Sequence, residues 1–234
     1  TGHKVHNLDA DGNLSTLAEI PEQPSGLGWL PDGSLIIVSM LDRKLMKLKD
    51  GELSIHADMS DLTPYQCNDM VIAKDGTAYV GNFGTDSVES KIHKTCLISV
   101  TQEGETKICA DGLLFPNGAV ISPDGKELIV GETFGGNLTS FQINESGELS
   151  HRTIWARVMP LHFKIITSII RFLNIPLKES NNTPFPVPDG ICLDSDNGIW
   201  VASPTTSEVI RFKKGGKITD RIATPQPAYA CMLG

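Results

Sequence analysis

Two observations predict an all-β fold built from repeated units. The first is a recurring pattern of a three-residue anchor, a short apolar stretch, a glycine-containing turn and a second apolar strand. The anchors are Pro24-Ser25-Gly26, Cys67-Asn68-Asp69, Pro116-Asn117-Gly118 and Pro188-Asp189-Gly190. The second observation is their spacing of 43, 49 and 72 residues. A period in the forties, with several short strands per unit, is typical of propeller blades, so we predict a six-bladed β-propeller.

Each unit is expected to contain four strands. The predicted second strands are Ser34–Met40, Thr77–Asn82, Lys126–Glu132 and Ile199–Ser203. Each unit should then end in a hairpin, because turn pairs such as Asp50-Gly51 separate two strand-like segments. The predicted hairpins are Leu45–Ile55, Leu97–Cys109, Thr139–Trp155 and Val209–Ile222.

Both ends of the chain are predicted to belong to further units. Residues Lys4–Leu17 resemble the terminal hairpin of an earlier blade, and Tyr229-Ala230-Cys231 resembles a fifth anchor. We therefore expect residues 1–234 to form a single propeller domain, truncated at both ends, with four full blades and partial first and last blades. An open repeat sheet, or a propeller of four or five blades, is the alternative.

The longest spacing between anchors predicts a helical insertion at residues 157–186. Polar residues recur there at helical intervals among apolar ones, and no acidic residue occurs from Arg157 to Lys178. This pattern predicts a basic amphipathic helix over residues 157–178. The helix could pack across one face of the propeller, cover its central mouth as a lid, or contact a membrane surface.

Composition narrows the classes of partner. The net charge of −8 and the lack of a long basic run disfavour nucleic acid. No apolar stretch reaches the roughly 18 residues of a membrane span, and no signal peptide opens the chain. Five scattered cysteines without a zinc-binding spacing predict reduced thiols, which favours a cytoplasmic location. The sequence leaves the oligomeric state open.

The middle residue of the anchor changes chemically from unit to unit. Ser25, Asn68, Asn117 and Asp189 occupy this one position, which a radial arrangement would bring together around an axis. Amide and carboxylate oxygens without neighbouring His or Cys suit a hard cation such as Ca²⁺, Mg²⁺ or Mn²⁺. Asn and Asp before glycine are also common turn residues, which is the alternative interpretation.

A metal at this position would support hydrolysis. A bound dication can polarise a carbonyl group and lower the pKa of a bound water. Asp189 could both hold the metal and accept a proton from that water, which would make it the catalytic base.

Several segments in a fixed order resemble a known family. They are Asn68-Asp69-Met70-Val71, Gly81-Asn82-Phe83-Gly84, Phe115-Pro116-Asn117-Gly118, Pro188–Asp194, Ile199–Ala202 and Ala230–Gly234. Together they resemble the gluconolactonase, senescence-marker-protein and luciferin-regenerating-enzyme family of six-bladed propellers. The resemblance implies one divalent cation (Ca²⁺, Mg²⁺, Mn²⁺ or Zn²⁺) at the top of the central tunnel. It implies that Asn117 and Asp189 hold the ion with an N-terminal glutamate, which would precede Thr1.

The same resemblance implies a set of substrate contacts. Asn68 and Asp86 would bind the substrate, and Ser25 would line the tunnel. Gln66 stands where sugar-lactone members of the family carry an arginine that contacts the substrate. We therefore expect a divalent-metal-dependent hydrolase of lactones or related esters that acts on a small molecule. The alternatives are a non-hydrolytic propeller enzyme, such as an isomerase or a strictosidine-synthase-like enzyme, and a ligand-binding propeller without catalysis.

Overall fold

A computed structural model describes residues 2–85, 91–162 and 185–233 of the chain. Within these ranges the chain forms one two-stranded sheet and four four-stranded sheets, all with antiparallel pairing between strands consecutive in sequence. The N-terminal hairpin consists of β1 (Lys4–Leu8) and β2 (Leu14–Glu19). Blade 1 consists of β3 (Pro24–Trp29), β4 (Leu35–Ser39), β5 (Lys44–Lys49) and β6 (Glu52–Asp58). Blade 2 consists of β7 (Cys67–Ile72), β8 (Ala78–Asn82), β9 (Thr95–Val100) and β10 (Thr106–Leu113).

The remaining two blades repeat this order. Blade 3 consists of β11 (Pro116–Ile121), β12 (Glu127–Glu132), β13 (Asn137–Ile143) and β14 (Leu149–Arg157). Blade 4 consists of β15 (Ile191–Leu193), β16 (Ile199–Ser203), β17 (Glu208–Lys213) and β18 (Lys217–Ala223). The predicted strands and hairpins are thus confirmed, with small shifts at their ends.

The hydrophobic core lies in layers between successive sheets. Leu97 and Ile98 are neighbours in β9 and are both buried, yet they belong to different layers. Ile98 packs between blades 1 and 2, and Leu97 packs between blades 2 and 3. Successive side chains of a strand point to opposite faces of its sheet, so a sheet covered on both faces needs apolar residues at consecutive positions. This face-to-face stacking of blades is the propeller type of architecture.

The first strand of each blade lies beside the first strand of the next. Contacts join β3 to β7, β7 to β11, and β11 to β15. The segment that resembles a fifth anchor continues the series, because the Gly190 N–H donates a hydrogen bond to the Tyr229 carbonyl at 2.9 Å. Three of the four predicted anchors therefore begin the innermost strands, and the fourth, Pro188-Asp189-Gly190, lies directly before the innermost strand of blade 4.

Glycine allows these inner strands to approach closely. A Cβ atom on Gly118 would lie 2.5 Å from the Ile191 nitrogen, and one on Gly26 would lie 2.7 Å from the Met70 nitrogen. Such distances leave no room for a side chain. The third residue of these anchors is thus fixed by packing between neighbouring blades.

The sheets do not test two of the predictions, namely the number of blades and the boundaries of the domain. No strand pairing joins the N-terminal hairpin to blade 4 within the described ranges, so the ring is not closed there. The count of six blades and the single-domain boundaries stay predictions.

The five cysteines are free, as expected. No helix in the described part of the chain is both long and apolar enough to cross a membrane.

The start of the predicted insertion needs correction. Arg157 is the last residue of β14 and pairs with Asn137, and Val158 and Met159 both donate backbone hydrogen bonds to Gly136. Sheet pairing therefore overrides the helical pattern at residue 157. Residues 163–184, which hold most of the predicted helix, lie outside the described residues.

We expect the Gly118→Ala variant to lower the free energy of unfolding by about 1–3 kcal/mol, because the added methyl group would overlap the backbone of blade 4. Urea denaturation followed by circular dichroism would measure the change. Gly2→Ala is the control, since a Cβ atom at Gly2 meets nothing within 4 Å. Equal unfolding midpoints for Gly118→Ala and the wild type would contradict the packing argument.

Candidate metal and substrate site

Backbone hydrogen bonds fix the anchor of blade 4. The Asp189 N–H donates to the Ala202 carbonyl, and the Ala202 N–H donates to the Gly190 carbonyl, each at 3.0 Å. The Gly118 N–H donates to the Asp189 carbonyl at 3.3 Å and links this anchor to blade 3. Asp189 is therefore held on the rigid end of blade 4, directly beside the anchor that carries Asn117.

Asn117 is buried, with 3% of its surface exposed. The nitrogen of its side-chain amide has a hydrogen-bond partner, whereas the oxygen has none among the described residues. Its Nδ2 donates to Thr133 Oγ1 at 3.1 Å, and Thr133 Oγ1 donates to the Pro188 carbonyl at 2.8 Å. Its Oδ1 is also buried but has no hydrogen-bond partner among the described residues. Leaving a buried acceptor unsatisfied typically costs about 1–3 kcal/mol. This oxygen is thus available to a ligand or a cation.

The Asp189 carboxylate lies in an environment that favours its protonated form. Burial is the main cause and the negative charge of Asp69 is the second, and together they raise the pKa of Asp189 to about 7. A hydrogen bond from the Asn117 side chain and one from the Gly190 backbone act in the opposite direction. The Asn117 side chain therefore acts on Asp189, and the two residues lie on neighbouring anchors.

Asp69 acts electrostatically on Asp189, although the sequence analysis did not select it. Its side chain is half-buried, and burial raises its pKa. It was overlooked because the comparison of anchors concentrated on the middle residue. The signal was nevertheless present, since the third anchor residue is glycine in blades 1, 3 and 4 and aspartate in blade 2.

The predicted substrate contacts are only partly brought together. Ser25 Oγ donates to Asn68 Oδ1 at 3.2 Å, so the anchors of blades 1 and 2 meet through their side chains. Gln66 is half-buried, and its backbone carbonyl accepts a hydrogen bond from the backbone N–H of Phe83 at 3.0 Å. Its side chain makes no hydrogen bond within the described ranges. Asp86 lies outside the described residues.

The donor set around Asn117 fits a hard cation. It offers an amide oxygen without a partner and, on the neighbouring anchor, the carboxylate of Asp189, which are oxygen donors of the kind that Ca²⁺, Mg²⁺ and Mn²⁺ prefer. Within residues 2–85, 91–162 and 185–233, no group of three or more His, Cys, Asp or Glu residues is arranged to hold a metal. Any ion held here would therefore depend on the asparagine as well as on the carboxylate.

The stacked four-stranded blades, with Asn and Asp oxygens at the ends of the inner strands, define a propeller-type protein with a candidate cation site. A sequence profile identifies the protein family to which the chain belongs. The profile described as "SMP-30/Gluconolactonase/LRE-like region" matches residues 1–234, and the chain belongs to this family. A comparison with curated protein sequences found no match.

Solved structures support the same fold. A gluconolactonase from Xanthomonas campestris superposes with a TM-score of 0.74 at 22% identity, and the match covers 99% of this chain and 72% of that one. A calcium-binding protein, regucalcin, from Agrobacterium tumefaciens superposes with a TM-score of 0.72 at 20% identity, covering 97% and 69%. A luciferin-regenerating enzyme superposes with a TM-score of 0.74 at 15% identity, covering 98% and 72%. At these identities the likeness shows the fold alone.

The raised pKa of Asp189 predicts that the contribution of this residue to the stability of the metal-free protein falls as the pH rises from about 4 to about 7. Asp189 binds more protons in the folded protein than in the unfolded chain in this window, because its pKa is about 7 when folded and 3.8 in its ordinary state. The resulting loss of unfolding free energy should be on the order of 1–4 kcal/mol. Urea denaturation at several pH values, in the presence of a chelator, would measure it.

The unfolding free energy of the Asp189→Asn variant, taken relative to that of the wild type, should rise over the same pH range, since the asparagine side chain cannot ionise. Asp61→Asn is the control and should follow the wild-type curve, because Asp61 is exposed. Parallel curves for the Asp189→Asn variant and the wild type would show that Asp189 titrates normally in the folded protein.

Proposed function

We propose that this protein is a divalent-metal-dependent hydrolase of lactones or related esters. The observation that carries the proposal is the buried amide oxygen of Asn117, which has no hydrogen-bond partner in the described part of the chain and belongs to the anchor that is hydrogen-bonded to the anchor of Asp189. Membership of the family and the likeness to a gluconolactonase are consistent with it.

Asp189 would act as the general base. A carboxylate with a pKa near 7 is about half ionised at neutral pH, and a base is most effective when its pKa lies near the working pH. A divalent cation bound at Asn117 and Asp189 would supply polarisation of the substrate carbonyl and a lower pKa for water. Asp189 would take up the proton of the attacking water at its carboxylate oxygen and return it to the leaving alkoxide as the ring opens.

Neighbouring side chains would bind the substrate without supplying positive charge. Asn68 and Ser25 form a hydrogen-bonded pair, and together they offer an amide and a hydroxyl group. Gln66 can donate and accept hydrogen bonds but carries no charge. This set suits a neutral ester or lactone better than a substrate with an anionic group. Asp86 is proposed as a further substrate contact.

The proposal also includes the number of blades and the position of the inserted segment after β14. We propose that the full domain has six blades and that the part of the predicted helix beyond β14 lies over the mouth of the tunnel or against a membrane surface. The lid position would favour a hydrophobic substrate. A small molecule, rather than nucleic acid, is the proposed partner, as the net charge of −8 suggests.

Turnover of a broad lactone and ester panel, with Ca²⁺, Mg²⁺, Mn²⁺ or Zn²⁺ added in turn, would test the function. We expect ring opening that depends on the metal and falls at least 100-fold in Asp189→Ala, because the variant lacks the base. Asp61→Ala is the control and should keep wild-type activity. Product identification separates hydrolysis from isomerisation, and normal turnover in Asp189→Ala would refute the mechanism.

We expect Asn117→Ala to weaken the binding of Ca²⁺ and Mn²⁺ at least tenfold, because it removes the buried oxygen that has no other partner. Isothermal titration calorimetry would measure the affinities. Asn7→Ala is the matched control, since Asn7 is exposed on β1. Unchanged affinities in Asn117→Ala would exclude Asn117 as a ligand.

A further inference from the structure

We propose that three phenylalanines beside the anchors bind an apolar chain of the substrate, so that the preferred lactone or ester is hydrophobic rather than polyhydroxylated. They are Phe83, Phe115 and Phe134, which we call the aromatic row. This inference rests on the proposed function in that it concerns the substrate of the same site, but binding measurements test it without turnover. Ring contacts and a repeated backbone contact lead to it.

The aromatic row crosses from blade 2 to blade 3. The ring centroids of Phe83 and Phe115 are 4.6 Å apart, and those of Phe115 and Phe134 are 5.2 Å apart, with tilted planes in both pairs. Tilted rings at such distances attract each other. All three residues are half-buried, so part of the row faces outward from the blades. The row therefore forms an aromatic surface that spans two blades.

A backbone contact repeated in blades 2 and 3 locates the row beside the anchors. In blade 3 the N–H of Thr133, directly after β12, donates to the carbonyl of Phe115, directly before the anchor, at 3.0 Å. In blade 2 the N–H of Phe83, directly after β8, donates to the carbonyl of Gln66 at 3.0 Å. Phe83 and Thr133 therefore hold matching positions, and so do Gln66 and Phe115.

The position shared by Phe83 and Thr133 lies between the anchors of successive blades. Thr133 Oγ1 accepts a hydrogen bond from Asn117 Nδ2 at 3.1 Å and donates one to the Pro188 carbonyl at 2.8 Å, so its side chain joins the anchors of blades 3 and 4. Phe83 correspondingly meets Phe115, the residue directly before the anchor of blade 3. The row thus lies next to the anchors of blades 2 and 3.

The fold does not require an aromatic residue at the position of Phe115. Blade 1 has Gln23 there, whose carbonyl accepts from the Met40 N–H at 2.9 Å, and blade 2 has Gln66. The backbone conformation is not specific to phenylalanine either, because φ is 56° at Phe115 and 68° at Gln23. The half-buried ring in blade 3 is therefore better explained by a ligand than by the turn.

An aromatic row beside uncharged polar groups suits a substrate with two chemically different parts. Gln66 and the hydrogen-bonded pair of Ser25 and Asn68 can bind the oxygens of an ester. The rings can cover an alkyl or aryl chain, since removing apolar surface from water is favourable. A polyhydroxylated lactone would have to place hydroxyl groups against the rings without hydrogen-bond partners, which is costly. The ligand is therefore a neutral lactone or ester with an apolar chain of several carbon atoms.

Calorimetric titration with two γ-lactams, one carrying a methyl and the other an octyl group, would test this inference. A lactam replaces the ring ester by a less reactive amide, so the ligand is not consumed. We expect the wild type to bind the octyl compound at least about tenfold more tightly, because each buried methylene group is worth roughly fourfold in affinity. Its binding should also show the negative heat-capacity change that accompanies apolar burial.

Two variants introduce residues that the fold already uses at the matching positions. Phe115→Gln introduces the residue of blades 1 and 2, and Phe83→Thr introduces that of blade 3. Each should reduce the octyl preference to about threefold or less while the affinity for the methyl compound stays within about twofold. Damage to the fold would instead weaken the binding of both compounds and lower the melting temperature.

Two control variants should keep the octyl preference. Phe115→Leu retains an apolar side chain in the row and should keep most of it. Ile55→Ala removes an exposed apolar side chain on β6 and should keep the wild-type ratio of affinities.

The outcomes distinguish this inference from the proposed function. Equal affinity of the wild type for the two lactams, or binding of neither, would overturn the inference, and so would an unchanged ratio in both Phe115→Gln and Phe83→Thr. If the octyl preference depends on the row but no lactone or ester is opened, the binding assignment stands and the hydrolase proposal fails. If lactones are opened without preference for an apolar chain, the reverse holds.

Discussion

The close approach of the inner strands is the constraint on which the rest of this structure depends. Blades stack through apolar layers, but at the axis the backbones themselves come into contact. A glycine directly after the variable anchor residue makes this contact possible between blades 3 and 4, where a Cβ atom on Gly118 would lie 2.7 Å from the Asp189 carbonyl oxygen. The same contact sets Asn117 beside Asp189, so packing and chemistry at the site have one structural cause.

This packing places ionisable groups where water is scarce. Burial disfavours the charged forms of Asp69 and Asp189 without a cation, and the charge of Asp69 adds to this effect at Asp189. Functional sites commonly retain such unfavourable arrangements because ligand binding offsets them. The paired carboxylates of Glu132 and Asp194 show that this chain can neutralise buried charge with arginine where only stability is concerned. The unpaired carboxylates at the axis are therefore better explained by ligand binding than by folding.

Most of the strand pattern could be predicted from sequence because its determinants are local. Turn glycines and alternating or continuous apolar segments specify each strand, and Ile199–Ser203 was predicted with its observed boundaries. The residue 157 boundary was wrong because pairing with Asn137 is a long-range effect that helical periodicity does not reveal. Asn117 and Asp189 could be selected from their matching positions, whereas the role of Asp69 depends on burial and on charges from another blade. Only a three-dimensional structure brings those together.

The two tasks proposed for Asp189, binding a cation and accepting a proton, make opposing demands. A bound cation lowers the pKa of a neighbouring carboxylate and so weakens it as a base. A second negative charge nearby acts in the opposite direction, as the influence of Asp69 on Asp189 already shows in the absence of metal. A base that is to accept a proton near neutral pH with a cation bound therefore needs surroundings that raise its pKa, and Asp189 has two such influences, its burial and the charge of Asp69.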